Sequence, residues 1–67
     1  MLYNLKRIRT NKGLTLQELS TKTGLSVSYL SELENQLRYN PSYQTMRKLQ
    51  KALKTSITEI EGVYYGK

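Results

Sequence analysis

The sequence predicts an all-α domain, and three observations support that prediction. Leu, Lys, Thr and Ser outnumber the strand-forming residues Val and Ile, and proline occurs once. Apolar residues recur at the three- and four-residue spacing of helices. Capping signatures and glycines fall where those helices would begin and end. The chain has 67 residues and neither cysteine nor histidine, so we expect one small core held by packing, without disulfides or a metal site.

The first predicted helix covers residues 2–12. Its apolar positions, Leu2, Leu5 and Ile8, recur at helical spacing. Gly13 follows Lys12 and is a natural stop, because glycine readily adopts the left-handed conformation that ends helices.

The second and third predicted helices follow closely. Thr15 and Glu18 form a T-x-x-E capping box that opens helix 2, with Leu16 and Leu19 directed inward and Gly24 at its end. Ser26 is the expected N-cap of helix 3, whose buried face carries Leu30 and Leu33 and which runs to Glu34 or Asn35.

Two further helices are predicted after a loop over residues 36–41. Pro41 ends that loop and Ser42 can cap helix 4. Helix 4 is amphipathic, with one apolar arc made of Met46, Leu49, Ala52 and Leu53. Its opposite face is basic and carries Arg47, Lys48, Lys51 and Lys54, which we interpret as a solvated outer surface. Ser56 and Glu59 repeat the capping box for a short helix 5 that buries Ile57 and Ile60. We expect residues 1–61 to form the domain and residues 62–67 to form a short tail.

The charge balance indicates a polyanionic partner. The sequence contains eleven Lys and Arg residues and five acidic residues, which gives a net charge of +6 and a pI near 9.8. Nucleic acid fits this balance better than an acidic membrane surface. No apolar run is long enough for a transmembrane or secretory segment. We therefore expect a cytoplasmic protein with no membrane partner.

Helices 2 and 3 with the turn at Gly24 have the layout of a helix-turn-helix. In such a unit the first helix braces across phosphates while the second enters the major groove. Helical steps of about 100° from Leu30 place five polar or aromatic residues on the outward side. These residues are Ser28, Tyr29, Ser31, Glu32 and Asn35. The alternative from spacing alone is an ordinary αα-hairpin in a small bundle.

The run LKRIRTNKGLTLQELSTKTGLSVSYLSELENQLRYNPSYQTMRKLQKALKTSITEI resembles the Cro/C1-type (xenobiotic-response-element, XRE) helix-turn-helix family of phage and bacterial regulators. The segment YLSELENQLRYNPS is similar to the DNA-binding half of SinR-type repressors. The resemblance covers about residues 2–60 and implies a five-helix, lambda-repressor-like fold with helices 2 and 3 as the helix-turn-helix.

The resemblance also implies which residues bind DNA. The base-contacting positions of the recognition helix fall on Val27, Ser28 and Glu32, with Tyr29 and Asn35 beside them. The implied phosphate contacts are Gln17, Ser26, Arg38, Tyr39 and Asn40. Structural alternatives remain: Val27 half-buried, Gln17 and Ser26 acting only as caps or solvated groups, and Tyr39 packed on its loop.

Arg9 and Glu34 are assigned to the scaffold. Arg9 shares the inward face with Leu5, and Glu34 shares it with Leu30, where a lone charge would be costly. The resemblance implies that these two residues form an ion pair between helix 1 and the end of helix 3.

The sequence departs from the family pattern in three places. Leu16 stands where many phage members carry a polar residue, and Gln36 stands where Gly or Asn is common, which predicts strain in the turn after helix 3. A separate oligomerisation region, present in SinR-type proteins, has no counterpart in these 67 residues. Monomer and homodimer both stay open, with helices 4 and 5 and the Tyr64-Tyr65 tail as the candidate contact.

The expected function is sequence-specific binding of double-stranded DNA as a transcriptional regulator, with repression as the expected effect and a homodimer on a palindromic operator as the implied arrangement. Two alternatives stay open: a protein-protein adaptor or antirepressor with the same fold, and an accessory factor of recombination or conjugation on a mobile element. We expect no enzyme activity, cofactor or small-molecule ligand, because the sequence contains no His or Cys and no suitably spaced nucleophile and base.

Overall fold

The computed structural model describes residues 2, 4–38 and 41–61. These residues form five helices and no strand, so the predicted all-α class is confirmed. The helices are α1 (Leu5–Asn11), α2 (Leu16–Thr23), α3 (Val27–Glu34), α4 (Tyr43–Leu53) and α5 (Ile57–Glu61). No helix in the described part of the chain is long and apolar enough to cross a bilayer.

The starts of α2, α3, α4 and α5 follow from side chains that satisfy the first backbone N–H groups. Thr15 Oγ1 accepts from the Glu18 backbone N–H at 3.0 Å, and Glu18 Oε1 accepts from the Thr15 N–H at 2.8 Å, completing the predicted capping box of α2. Ser26 and Ser42 cap α3 and α4 in the predicted way. The capping box predicted for α5 is also present, with Ser56 Oγ accepting from the Glu59 N–H at 3.1 Å.

The start of α1 differs from the prediction. The helix begins at Leu5 rather than at residue 2. Asn4 is drawn toward α5 instead: its backbone N–H donates to the Ile60 carbonyl at 3.1 Å, and its side-chain amide donates to the Glu59 carbonyl at 3.0 Å. These bonds satisfy carbonyls near the end of α5. The side-chain bond joins residues 55 positions apart in sequence, so a local pattern could not predict it.

One core joins all five helices. Its nine buried apolar residues are Leu2, Leu5, Leu19, Leu30, Leu33, Met46, Leu49, Leu53 and Ile60. Leu16, Ala52 and Ile57, predicted to face inward, are half-buried and pack against this core. The inward face of α3 is therefore fixed by leucines, and this fixes which of its faces points outward.

Candidate nucleic-acid interface

The turn between α2 and α3 is closed by a chain of hydrogen bonds. Gly24 has a φ of 78°, and its N–H donates to the Ser20 carbonyl at 2.8 Å. The Thr23 hydroxyl donates to the Leu19 carbonyl at 2.8 Å and accepts from the Leu25 N–H at 3.2 Å. The Ser20 hydroxyl donates to the Leu25 carbonyl at 2.5 Å. These four bonds hold α3 at a fixed angle to α2.

The outward face of α3 is polar and accessible. Leu30 and Leu33 are buried on the opposite side. Ser28 and Asn35 are exposed, while Val27, Tyr29, Ser31 and Glu32 are half-buried. The five residues that helical spacing predicts to face outward are therefore exposed or half-buried, and none is buried. Val27 is half-buried, as in the structural alternative given for it.

Three of the residues assigned to phosphate from sequence are described, namely Gln17, Ser26 and Arg38, and they lie at three different places. Gln17 is exposed on the first turn of α2. Ser26 is exposed, and its Oγ accepts from the Tyr29 backbone N–H at 3.1 Å, so it caps α3 and keeps its hydroxyl hydrogen as a donor. Tyr39 and Asn40 lie outside the described residues.

Asn35 is engaged with its own helix. Its Nδ2 donates to the Ser31 carbonyl at 2.9 Å and to Ser31 Oγ at 3.3 Å. These bonds use the amide nitrogen of Asn35 and do not involve its carbonyl oxygen, which is an acceptor.

A cluster of three side chains lies at the end of α3. Arg38 Nε donates to Glu32 Oε1 at 2.8 Å, and the guanidinium carbon of Arg38 lies 5.8 Å from the centroid of the Tyr29 ring. The hydrogen bond that Arg38 donates to Glu32, together with the negative charge of that carboxylate, raises the pKa of the Arg38 guanidinium above its usual value. Glu32 and Arg38 have separate roles in the sequence prediction, and their contact was not predicted.

Behind α3, Arg9 and Glu34 form a buried ion pair. Arg9 Nε contacts Glu34 Oε2 at 2.5 Å and Nη2 contacts Oε1 at 3.1 Å. The remaining nitrogen, Nη1, donates to the Leu14 carbonyl at 2.6 Å. The side chains are 9% and 3% exposed. The pair joins α1 to the last turn of α3 and lies away from the outward face.

The basic face of α4 is solvated. Arg47, Lys48, Lys51 and Lys54 are all exposed. Arg47 Nη1 donates to the Tyr43 hydroxyl at 3.1 Å, and its guanidinium carbon lies 5.8 Å from the ring centroid of Tyr43. This second arginine-tyrosine pair differs from the one on α3, since the described contacts of Arg47 include no carboxylate.

These features define a helix-turn-helix domain. A family model described as "Helix-turn-helix" matches residues 5–60, and the chain belongs to this family. This match, together with the similarity of the chain to SinR proteins of Bacillus, confirms the predicted resemblance to the Cro/C1-type family and to SinR-type proteins.

Named relatives agree with this assignment. The chain is 42% identical over 53 residues to the HTH-type transcriptional regulator SinR of Bacillus subtilis (strain 168), a match that covers 79% of this chain and 48% of SinR. It is 42% identical over 57 residues to the uncharacterized HTH-type transcriptional regulator y4dJ of Sinorhizobium fredii, covering 85% of this chain and 73% of y4dJ. It is 40% identical over 58 residues to the immunity repressor protein of Bacillus phage phi105, covering 87% of this chain and 40% of that repressor.

The chain thus spans about half the length of the SinR proteins that it matches. No solved structure matches it significantly.

Proposed function

We propose that this protein is a sequence-specific, double-stranded DNA-binding transcriptional regulator that represses by covering promoter DNA. The observation that carries the proposal is the helix-turn-helix itself: α3 buries leucines on one side and presents an accessible polar face on the other, in a chain of net charge +6. The relatives named as regulators and as an immunity repressor support it. Family membership also supports a non-enzymatic protein, and a cytoplasmic location follows from a role on DNA.

In this proposal α3 lies in the major groove. Val27 contacts a thymine methyl, Ser28 bonds to base edges as donor or acceptor, and Glu32 accepts from cytosine N4. Glu32 Oε1 already accepts from Arg38, so the cytosine contact uses Oε2.

Positioning on the duplex comes from other groups. Gln17 and Ser26 lie at the exposed starts of α2 and α3, where backbone N–H groups also favour a phosphate. Tyr39 and Asn40 keep the phosphate role assigned from sequence. Lys6, Arg7 and Lys12 are exposed on and just after α1 and add long-range attraction to the polyanion.

We also propose that the active form on DNA is a homodimer. Two copies of α3 would then meet successive major grooves about 34 Å apart, which requires a palindromic site. A monomer would bind one half-site weakly. Sedimentation of the protein with duplexes carrying one or two half-sites distinguishes a 1:1 from a 2:1 complex.

Titration of duplex DNA at several salt concentrations tests the proposed function. We expect binding that weakens steeply with salt, because each neutralised phosphate releases counterions. Ser28→Glu places a negative charge on the outward face of α3 and should abolish binding. Lys48→Glu is the matched control: it lowers the net charge further, yet it lies on the exposed face of α4 and should leave most of the affinity. Circular dichroism verifies that both variants fold.

No salt-dependent binding at low ionic strength, or equal effects of the two variants, would contradict the proposal. The first result would favour the adaptor or antirepressor alternative. An accessory factor of recombination or conjugation would also bind DNA. A promoter assay distinguishes it from a repressor, because a repressor lowers transcription and an accessory factor does not.

A further inference from the structure

The chain reverses direction after α3 and returns to its outward face. Gln36 has a φ of 61°. Its N–H donates to the Leu33 carbonyl at 3.3 Å, and the Leu37 N–H donates to the Glu32 carbonyl at 2.8 Å. These two bonds form a Schellman motif, which needs a left-handed residue at the Gln36 position. The reversal places Arg38 beside α3 instead of leading it away from the helix.

Two contacts hold the Arg38 side chain on that face. Glu32 binds its Nε at 2.8 Å, and the Tyr29 ring lies under its guanidinium at 5.8 Å. Tyr29 and Glu32 are three residues apart and so share one side of the helix. The Arg38 side chain is nevertheless 59% exposed. The guanidinium is therefore at the surface in a restrained position.

The restraint determines which donors point outward. Glu32 occupies Nε, and no residue in the described part of the chain accepts a hydrogen bond from Nη1 or Nη2 of Arg38. Those two nitrogens offer parallel N–H donors, the arrangement that matches O6 and N7 of guanine in the major groove. Because the side chain is already ordered, less rotamer entropy is lost when it binds.

A phosphate fits this arrangement less well. A phosphate bound to the Nη edge would lie close to the Glu32 carboxylate, and the two negative charges would repel each other. The acceptor edge of guanine carries no formal charge, so Glu32 does not oppose it. The carboxylate beside Arg38 therefore favours a base over the backbone.

We propose that Arg38 reads a guanine in the major groove and that Glu32 and Tyr29 position it. The proposal rests on the proposed function, since α3 must enter the groove for Arg38 to reach a base. It replaces the assignment of Arg38 to phosphate made from the sequence.

Base analogues in a bound duplex test this directly. Each guanine of the best duplex found by in-vitro selection is replaced in turn by 7-deazaguanine, which lacks the N7 acceptor, or by inosine, which keeps O6 and N7. With the full chain we expect one guanine in each half-site at which 7-deazaguanine weakens binding roughly 5- to 150-fold. Inosine at the same place should have little effect.

Variants assign that effect to the cluster. Arg38→Ala should bind the normal duplex more weakly and no longer distinguish 7-deazaguanine from guanine. Glu32→Ala should reduce the discrimination, and Glu32→Gln should keep most of it because the amide oxygen still accepts from Nε. Arg47→Ala is the matched control, since Arg47 also lies over a tyrosine but on α4, and it should leave the discrimination unchanged.

The outcomes separate this inference from the proposed function. If Arg38→Ala weakens all duplexes alike, lowers the salt dependence by about one phosphate and keeps the response to 7-deazaguanine, Arg38 contacts the backbone and the inference is wrong while DNA binding stands. If Glu32→Ala keeps full discrimination, Glu32 does not position Arg38. If no duplex binds at low salt, the proposed function fails and the inference fails with it.

Discussion

Arg9 on α1 and Glu34 at the end of α3 bind each other through two pairs of atoms in the protein interior, at 2.5 and 3.1 Å. The carboxylate has two partners on one guanidinium, and the third guanidinium nitrogen is satisfied by the Leu14 carbonyl. The pair therefore has few unmet hydrogen bonds despite its burial. It fixes the last turn of α3 against α1.

Removing one member of this pair should destabilise the protein strongly. We expect Arg9→Met or Glu34→Leu alone to lower the free energy of unfolding by about 3–5 kcal/mol, because each leaves an uncompensated buried charge. The double variant should lose much less than the sum. Urea unfolding of the four proteins gives the coupling directly.

The exposed ion pair provides the control for that experiment. Glu32 and Arg38 have side chains that are 41% and 59% exposed, so solvent screens their attraction. Arg38→Met should therefore change stability much less than Arg9→Met does. Similar losses for the buried and exposed pairs would show that burial does not set the strength of these interactions.

Lys54 ends α4 in a left-handed conformation, with a φ of 53°. A side chain in this conformation costs roughly 1–2 kcal/mol, while glycine adopts it without strain. We expect Lys54→Gly to stabilise the protein by about 1 kcal/mol, after allowance for the greater freedom of glycine in the unfolded chain. Thermal unfolding measures the change.

Lys51→Gly is the matched control for Lys54→Gly. It removes the same exposed side chain from within α4, where glycine costs about 1 kcal/mol relative to a good helix former. Opposite signs for the two variants support a strained helix end at Lys54. The same sign for both would contradict it.

The capping box of α5 makes stability depend on pH in the acidic range. Hydrogen bonds from the Thr55 hydroxyl and from the Ser56 backbone and hydroxyl lower the pKa of Glu59 below its ordinary value of 4.5. Since the folded pKa is depressed, the stabilisation is present above pH 4.5 and is lost as the pH falls through the lower folded value.

Glu59→Gln should therefore be less stable than the natural protein near pH 7, with the difference disappearing at low pH. Glu61→Gln removes the same charge from the same helix without touching the cap, and it should show a smaller effect. Melting curves from pH 2 to 7 provide the comparison. A difference between Glu59→Gln and the natural protein that persists at the lowest pH would argue against the cap as its cause.

Local signals predicted most of the fold. The capping residues of α2 and α5 lie three positions apart in sequence, Thr15 with Glu18 and Ser56 with Glu59. A four-residue motif is therefore enough to predict where these two helices begin. Gly13 and Gly24 have positive φ angles at the predicted stops. The start of α1 was predicted wrongly because Asn4 bonds to carbonyls of α5.

The candidate site was predicted less completely. Helical spacing identified the outward face of α3, because the two core leucines of that helix, Leu30 and Leu33, are buried on the other face. The contact between Glu32 and Arg38 crosses a helix end and depends on the left-handed conformation of Gln36. Gln36 is unusual in the turn after α3, but strain in that turn does not by itself predict that the chain returns to the outward face of α3.

In-vitro selection of duplexes bound by the full chain, compared with selection by Ser28→Ala, tests the central claim that the outward face of α3 reads DNA sequence. The natural protein should enrich a short motif, in two inverted copies if it binds as a dimer. Ser28→Ala should fold normally and relax the preference at one position of each copy. Failure to enrich any motif, or an identical motif for both proteins, would contradict the claim that this face of α3 reads the bases.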